Sequence, residues 1–126
     1  MASVEPGRPM VAYRARMELS LRLTARQWAT IDADMDNAAA QARDTFGDDA
    51  PARAIRQAGW DQVPWVGPTK EWPADTQVIT IRLTREQWEF VLAFLRGSAP
   101  VYEELGDETS LRLGQDAANA VQEQLL

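Results

Sequence analysis

Three aspartates spaced two residues apart are the first group in the chain whose types and spacing could do chemistry. Asp32, Asp34 and Asp36 match the opening of an EF-hand calcium loop, in which alternating carboxylates bind the ion. The rest of the loop does not match, because Asn37 stands where glycine is required and Arg43 where a bidentate glutamate should be. On a helix, moreover, residues two apart do not share a face. The pattern therefore predicts a solvated acidic helix face, and we expect no metal site.

Other catalytic chemistries lack their usual residues. The chain has no histidine and no cysteine, which removes the commonest general base, thiolate nucleophiles, disulfides and the usual zinc ligands. Lys70 is the one lysine, and Tyr13 and Tyr102 are the two tyrosines. The sequence has no phosphate-binding loop, dinucleotide fingerprint or nucleophile elbow. We therefore predict that the chain is not an enzyme and takes no cofactor; an enzyme that relies on carboxylates alone is the alternative.

Tryptophans are concentrated in one segment. Residues 59–75 (GWDQVPWVGPTKEWPAD) hold Trp60, Trp65 and Trp72 together with three prolines and two glycines, a composition typical of an irregular loop. Exposed tryptophans anchor protein interfaces because they bury a large area at a small entropic cost. They could instead fold back and cover an open edge of the core. We take all three as candidate binding residues and expect at least one to be substantially exposed.

Arginines form a second candidate surface. Arg14, Arg16, Arg22 and Arg82 fall on the polar side of two predicted strands. If helices cover only the other face of the sheet, these side chains line the open face and could bind an acidic protein surface or a nucleic-acid backbone. They could also simply keep an exposed sheet soluble. The net charge of −6 argues against nucleic acid as the partner, because phosphate binding depends on cationic side chains.

An internal repeat organises the chain. Residues 20–28 (SLRLTARQW) match residues 80–88 (TIRLTREQW) at five of nine positions, at an offset of 60. Residues 47–49 (GDD) recur as residues 106–108 (GDE), at an offset of 59. Two matches at nearly one offset indicate a duplicated unit. We interpret the chain as a single domain, 1–126, with repeats at about 18–59 and 78–126 joined by the loop 59–75.

Each repeat begins with a predicted strand, and the two strands differ in length. Apolar and polar residues alternate from Val11 to Leu23, but in the second repeat only from about Ile79 to Leu83. The stretch of the second repeat that would extend its strand, residues 71–77, contains a proline and has no such alternation. Because unpaired strand edges recruit other strands, we predict a homodimer in which residues 10–17 pair with the same segment of a second chain. Alternatively, the loop after Gly59 covers this edge.

A helix cap follows each strand. Thr24 and Thr84 are predicted N-caps, and each is followed three residues later by a glutamine, the spacing of a capping box. The next residue of each helix is a tryptophan, and a leucine precedes each cap. This is the spacing of a hydrophobic staple. We therefore place Trp28 and Trp88 in the core.

Four helices are predicted, over residues 25–45, 51–58, 85 onward and 109–124. We expect Phe46 to continue the buried stripe of the first helix, and Gly59 to end the second. The third helix is apolar nearly all round, which predicts a central, buried position, and Gly97 and Pro100 should break or kink it. The fold class is α+β, with the order β-α-α-β-α-α, a small antiparallel two-stranded sheet, helices on one face and a pseudo-two-fold axis.

The leading functional hypothesis is a non-catalytic protein-interaction module that acts as an adaptor, an inhibitor or a regulator. A regulator associated with nucleic acid, which would use the arginines, is the alternative from a different class. The longest apolar run, residues 90–95, is far shorter than the roughly 20 residues that span a bilayer. The first residues lack the apolar core of a signal peptide. We therefore expect a cytoplasmic protein that does not enter the membrane.

Overall fold

A computed structural model describes residues 15–125 of the chain. The elements follow the predicted order, so the α+β class and the antiparallel two-stranded sheet are confirmed. They are β1 (Glu18–Thr24), α1 (Ala25–Asp44), α2 (Ala50–Gln62), β2 (Val78–Thr84), α3 (Arg85–Leu105) and α4 (Glu108–Leu125). No helix within the described part of the chain is long and apolar enough to cross a membrane.

The sheet buries one face and exposes the other. Leu21 pairs with Ile81 at its centre, and both side chains lie in the core with those of Leu23, Ile79 and Leu83. The polar residues between them are exposed, as the alternation of the sequence predicts. The strand expected from Val11 is wrong at Ala15 and Arg16, which are helical, because β1 begins only at Glu18.

The segment expected to pair in a homodimer, residues 10–17, lies mostly outside the described residues. Residues 15–17 are not part of a strand, so the strand needed for the predicted pairing is absent at these three residues. The Met17 carbonyl accepts a hydrogen bond from the Arg85 amide at 2.8 Å, at the point where α3 begins and β2 ends. The partner strand therefore stops at this position. The homodimer itself stays a prediction.

The two capping boxes are confirmed. The Thr24 hydroxyl accepts from the Gln27 amide at 3.1 Å, and the Gln27 side chain accepts from the Thr24 amide at 2.8 Å. The same pair of bonds joins Thr84 and Gln87, at 3.1 Å and 2.9 Å. Each box satisfies two backbone N–H groups that the start of a helix leaves without a partner. Local sequence therefore decides where α1 and α3 begin.

Trp28 and Trp88 form the centre of the core, as predicted. Both are fully buried, and their rings meet edge to face with centroids 6.2 Å apart. The Trp88 indole N–H donates to the Leu19 carbonyl at 2.9 Å, which fixes α3 against β1. Gly59 does not end α2, which continues to Gln62; it lies inside the helix, where the backbone rests on the Trp28 ring.

Glutamine side chains close both outer edges of the sheet. At β2 the Gln62 side chain accepts from the Arg82 amide at 2.7 Å and donates to the Arg82 carbonyl at 2.8 Å. At β1 Gln124 makes the same two bonds to the backbone of Arg22, both at 2.8 Å. The second helix of each half thus meets the strand of the other half. These paired contacts agree with a repeated plan, but duplication of the unit stays a prediction.

Three helix predictions need correction. The helix α3 continues through Gly97 and Pro100 to Leu105, so neither residue breaks it, and the kink stays a prediction. It is not buried all round, because it packs on α1, α4 and β2 from one side only. Phe46 does not continue the buried stripe of α1. The helix ends at Asp44, and Phe46 takes a left-handed backbone (φ 57°) that leaves its side chain fully exposed.

Candidate functional site

A short hairpin holds two of the three candidate tryptophans. Val66 and Glu71 pair through two backbone hydrogen bonds of 2.8 Å and 2.9 Å, and the chain turns between them. Trp65 and Trp72 lie one residue outside this pair on either side, so they are cross-strand neighbours. The segment 59–75, predicted as an irregular loop, is therefore helical up to Gln62 and contains one ordered turn, which brings the two indoles together.

The three tryptophans form a continuous cluster. The Trp65 ring lies between the other two, with its centroid 4.3 Å from that of Trp60 and 4.6 Å from that of Trp72. Its indole N–H donates to the Trp60 carbonyl at 2.9 Å, which connects the hairpin to the last turns of α2. Trp65 also packs against the core, whereas Trp60 is 45% and Trp72 39% exposed. The expected exposure of at least one indole is confirmed.

An open cleft of about 630 Å³ adjoins Trp60 between α1 and α2. Its wall includes Arg53 and Arg56, and both guanidinium groups already have carboxylate partners. Arg56 bridges Asp32 at 3.2 Å and Asp36 at 3.1 Å. The hydrogen bond with Asp32, together with the charges of both carboxylates, raises the pKa of Arg56 above its usual value. The cleft is therefore lined by the Trp60 ring and by arginines whose charges are already paired with carboxylates.

The three aspartates divide between two faces of α1. Asp32 and Asp36, four residues apart, share the face that binds Arg56. Asp34 is only 5% exposed and accepts a long hydrogen bond, 3.4 Å, from the Tyr102 hydroxyl of α3. Burial raises the pKa of Asp34. The predicted solvated acidic face is therefore wrong for Asp34, and among the described residues no acidic cluster is placed to hold a metal ion.

The sequence does contain a signal for the burial of Asp34. It lies three residues after Ile31 and four before Ala38, both of which are in the core. Residues at these spacings share a helix face. Asp34 therefore belongs to the buried stripe of α1, and its carboxylate lines a cleft of about 370 Å³ with Tyr102 and Asp75.

The four candidate arginines are not assembled into one basic stripe among the described residues. Arg22 and Arg82 are exposed on the open face of the sheet, and the side chain of Arg82 pairs with Glu18 at 3.1 Å. Arg16 is exposed in the helical residues before β1. Arg14 lies outside the described residues. The positive charge of the open face is therefore partly neutralised within the sheet itself.

The tryptophan cluster is thus the better assembled of the two candidate surfaces, because contacts within the chain hold its rings together. Comparisons with protein-family models, with curated proteins and with solved structures found no match.

Proposed function

We propose that the chain is a non-catalytic interaction module, an adaptor, inhibitor or regulator, that binds a partner protein through its tryptophan cluster. The observation that carries the proposal is the arrangement of Trp60, Trp65 and Trp72: two exposed indoles flank a half-buried third, with centroids 4.3 Å and 4.6 Å apart. Tryptophan is enriched among the residues that dominate binding energy at protein interfaces.

The rigidity of the cluster strengthens this proposal. Ordering a side chain on binding costs about 0.5–1.5 kcal/mol. Ring contacts and the indole hydrogen bond of Trp65 already restrict these side chains. A partner that covers Trp60 and Trp72 therefore gains their apolar area with little further loss of freedom.

Nucleic acid is the second candidate partner, because bases also stack on tryptophan rings. The charge of the chain disfavours it. Phosphate binding needs cations that release counterions, whereas this chain carries a net charge of −6 and Arg82 is paired with Glu18. A protein with an apolar contact surface fits the cluster better than a polyanion.

An affinity purification tests the proposal. The full-length tagged chain is incubated with lysate of the source organism, beside a Trp60→Ala/Trp72→Ala double variant and a Phe46→Ala control. Phe46 is a fully exposed aromatic residue away from the cluster, so its truncation matches the chemical change. We expect a protein that is retained by the wild type and by the control but lost by the double variant.

The retained protein is then purified and its affinity measured by calorimetry at about 50 mM and about 200 mM salt. The affinity should change little between the two salt concentrations if the contact is apolar, whereas it should fall by orders of magnitude if the chain binds phosphates. The proposal is wrong if the double variant retains the same protein with the same affinity. Retention of nucleic acid with a steep salt dependence would support the second candidate instead.

A further inference from the structure

The outer face of α3 carries an apolar stripe that the described chain covers only in part. Phe90 is 38%, Val101 54% and Leu105 72% exposed. Their spacing places them on one side of the helix, with Gly97 between them. The fully or nearly fully buried residues Trp88, Val91 and Leu95 lie on the adjoining, core-facing side, and Phe94, between Phe90 and Val101, packs partly against the core. A helix on the surface of a globular protein usually carries polar residues on its outer face, so this stripe has the character of a contact surface.

Gly97 leaves room for a partner at this face. Glycine inside a helix costs about 1 kcal/mol relative to alanine. A Cβ atom at Gly97 would meet no atom within 4 Å among the described residues, so the packing of the chain does not require glycine there. Glycine on a helix face permits another backbone to approach closely. The residue is explained if a helix from outside crosses α3 at this point.

The charges on the stripe indicate which kind of helix fits. Glu86 and Glu104 lie at its two ends, on the same side of α3 as Gly97. Arg85 is on another side, where it binds Glu89 and the Leu125 carbonyl. If two copies of the chain paired through this face, acidic ends would meet acidic ends in either the parallel or the antiparallel orientation. Such pairing is repulsive, whereas lysine or arginine opposite these carboxylates is attractive.

We propose that this stripe of α3 binds an amphipathic helix of a partner protein, with apolar residues on Phe90, Val101 and Leu105 and basic residues facing Glu86 and Glu104. The inference goes beyond the function proposed above, because it concerns a different surface and holds whether or not the tryptophan cluster binds anything. Helix-in-groove recognition of this kind uses anchors at helical spacing.

The first arm of the test uses two model helical peptides with the same leucine face, one with lysine and one with glutamate on the polar face. Binding of each labelled peptide to the full chain is measured by fluorescence anisotropy. We expect the lysine peptide to bind at least about tenfold more tightly, because each 1.4 kcal/mol of charge interaction is a factor of ten. Equal affinity for the two peptides, or no binding of the lysine peptide, would overturn the proposal.

The second arm locates the site with two matched substitutions. Val101→Lys removes one contact of the stripe, and Val78→Lys makes the same change at a similarly exposed valine at the start of β2. Both alter the net charge equally, so general attraction to the peptide cancels. We expect Val101→Lys to weaken binding about tenfold, the loss of one buried aliphatic side chain, and Val78→Lys to leave it unchanged. Equal effects of the two variants contradict the assignment. Urea midpoints show that both variants fold.

Other occupants of the stripe give distinct results. If a second copy binds there, light scattering will show a wild-type dimer that Val101→Lys converts to a monomer. If the chain's own first residues bind there, Val11→Asn in the full chain, which leaves the net charge unchanged, will raise the affinity for the lysine peptide. Either result overturns the proposal and names the true occupant.

Discussion

Replacing Gly59 with alanine is the sharpest test of how the two halves of the core fit together. A Cβ atom built at this position would lie 1.9 Å from Cζ2 and 2.4 Å from Cε2 of Trp28. The Trp28 ring is fully buried and meets Trp88 edge to face, so it has no free space into which to move. Either α2 must move away from α1, or the tryptophan pair must rearrange.

The expected cost follows from two opposing effects. Carbon atoms pack at about 3.5–4.0 Å, so the new methyl group requires a displacement of more than about 1 Å. Overpacking of this kind costs about 1–3 kcal/mol and occasionally more. Alanine returns about 1 kcal/mol because it favours the helix more than glycine does. Because the overlap is severe, we take the upper end, about 3 kcal/mol, for the overpacking. Gly59→Ala should then lower the free energy of unfolding by about 2 kcal/mol, a large part of the 5–15 kcal/mol typical of a domain.

Urea unfolding followed by tryptophan fluorescence measures this effect, and Gly97→Ala is the matched control. The chemical change is the same and also lies inside a helix, but nothing in the described chain lies within 4 Å of the new Cβ atom. The control should therefore gain about 1 kcal/mol of stability. Opposite signs at the two glycines are the expected result. The packing argument fails if Gly59→Ala is as stable as the wild type.

Two further predictions concern α1 and α3. Thr24→Ala and Thr84→Ala should each lower the free energy of unfolding by about 1 kcal/mol, and unchanged urea midpoints would contradict the role of the caps. Asp34 has a folded-state pKa raised above its usual value of 3.8 by burial, so the folded state retains this proton longer than the unfolded state. The contribution of this group to stability therefore falls as the pH rises from about 3.8 through the raised pKa. Asp34→Asn should remove the decrease in the free energy of unfolding that accompanies ionisation of this carboxyl, so the variant should be more stable than the wild type at neutral pH. Urea titrations of both proteins at acidic and at neutral pH measure this difference.

The features that the sequence predicts best are those determined by local contacts. Thr24 and Thr84 cap helices because residues three positions apart supply both partners of each capping box. Burial on one face of the strands follows from a period of two. In each case the interacting groups are close in the chain, so spacing alone is sufficient to place them.

The features that the sequence misses depend on residues far apart in the chain. A glycine near the end of a helix is usually read as its stop, but Gly59 is inside α2 because the Trp28 ring occupies the space of its side chain. The exposure of α3 likewise depends on which elements cover it, and α1, α4 and β2 pack on one side only. The apolar outer face of α3 is visible in the sequence, but its lack of a cover is not.

The same pattern holds at the tryptophan cluster. Residues 65–72 begin and end with tryptophan, and the antiparallel pair Val66–Glu71 lies just inside them. Pairing at one position fixes the register of its neighbours. The symmetry of this stretch is thus a usable hairpin signal, and Gly67-Pro68 between the two tryptophans is a turn signal that agrees with it. The contact with Trp60 could not be predicted, because it depends on α2 continuing past Gly59.

The closed edges of the sheet limit how any partner can bind. A two-stranded sheet is marginal alone and invites additional strands. Here the outward backbone groups of Arg22 and Arg82 are already bonded to Gln124 and Gln62. Strand addition at the centre of either edge would have to break these bonds. A partner that leaves these bonds intact must therefore bind through side chains. The tryptophan cluster and α3 each present several exposed apolar side chains for this, whereas Met17, Phe46 and Val78 are exposed singly elsewhere.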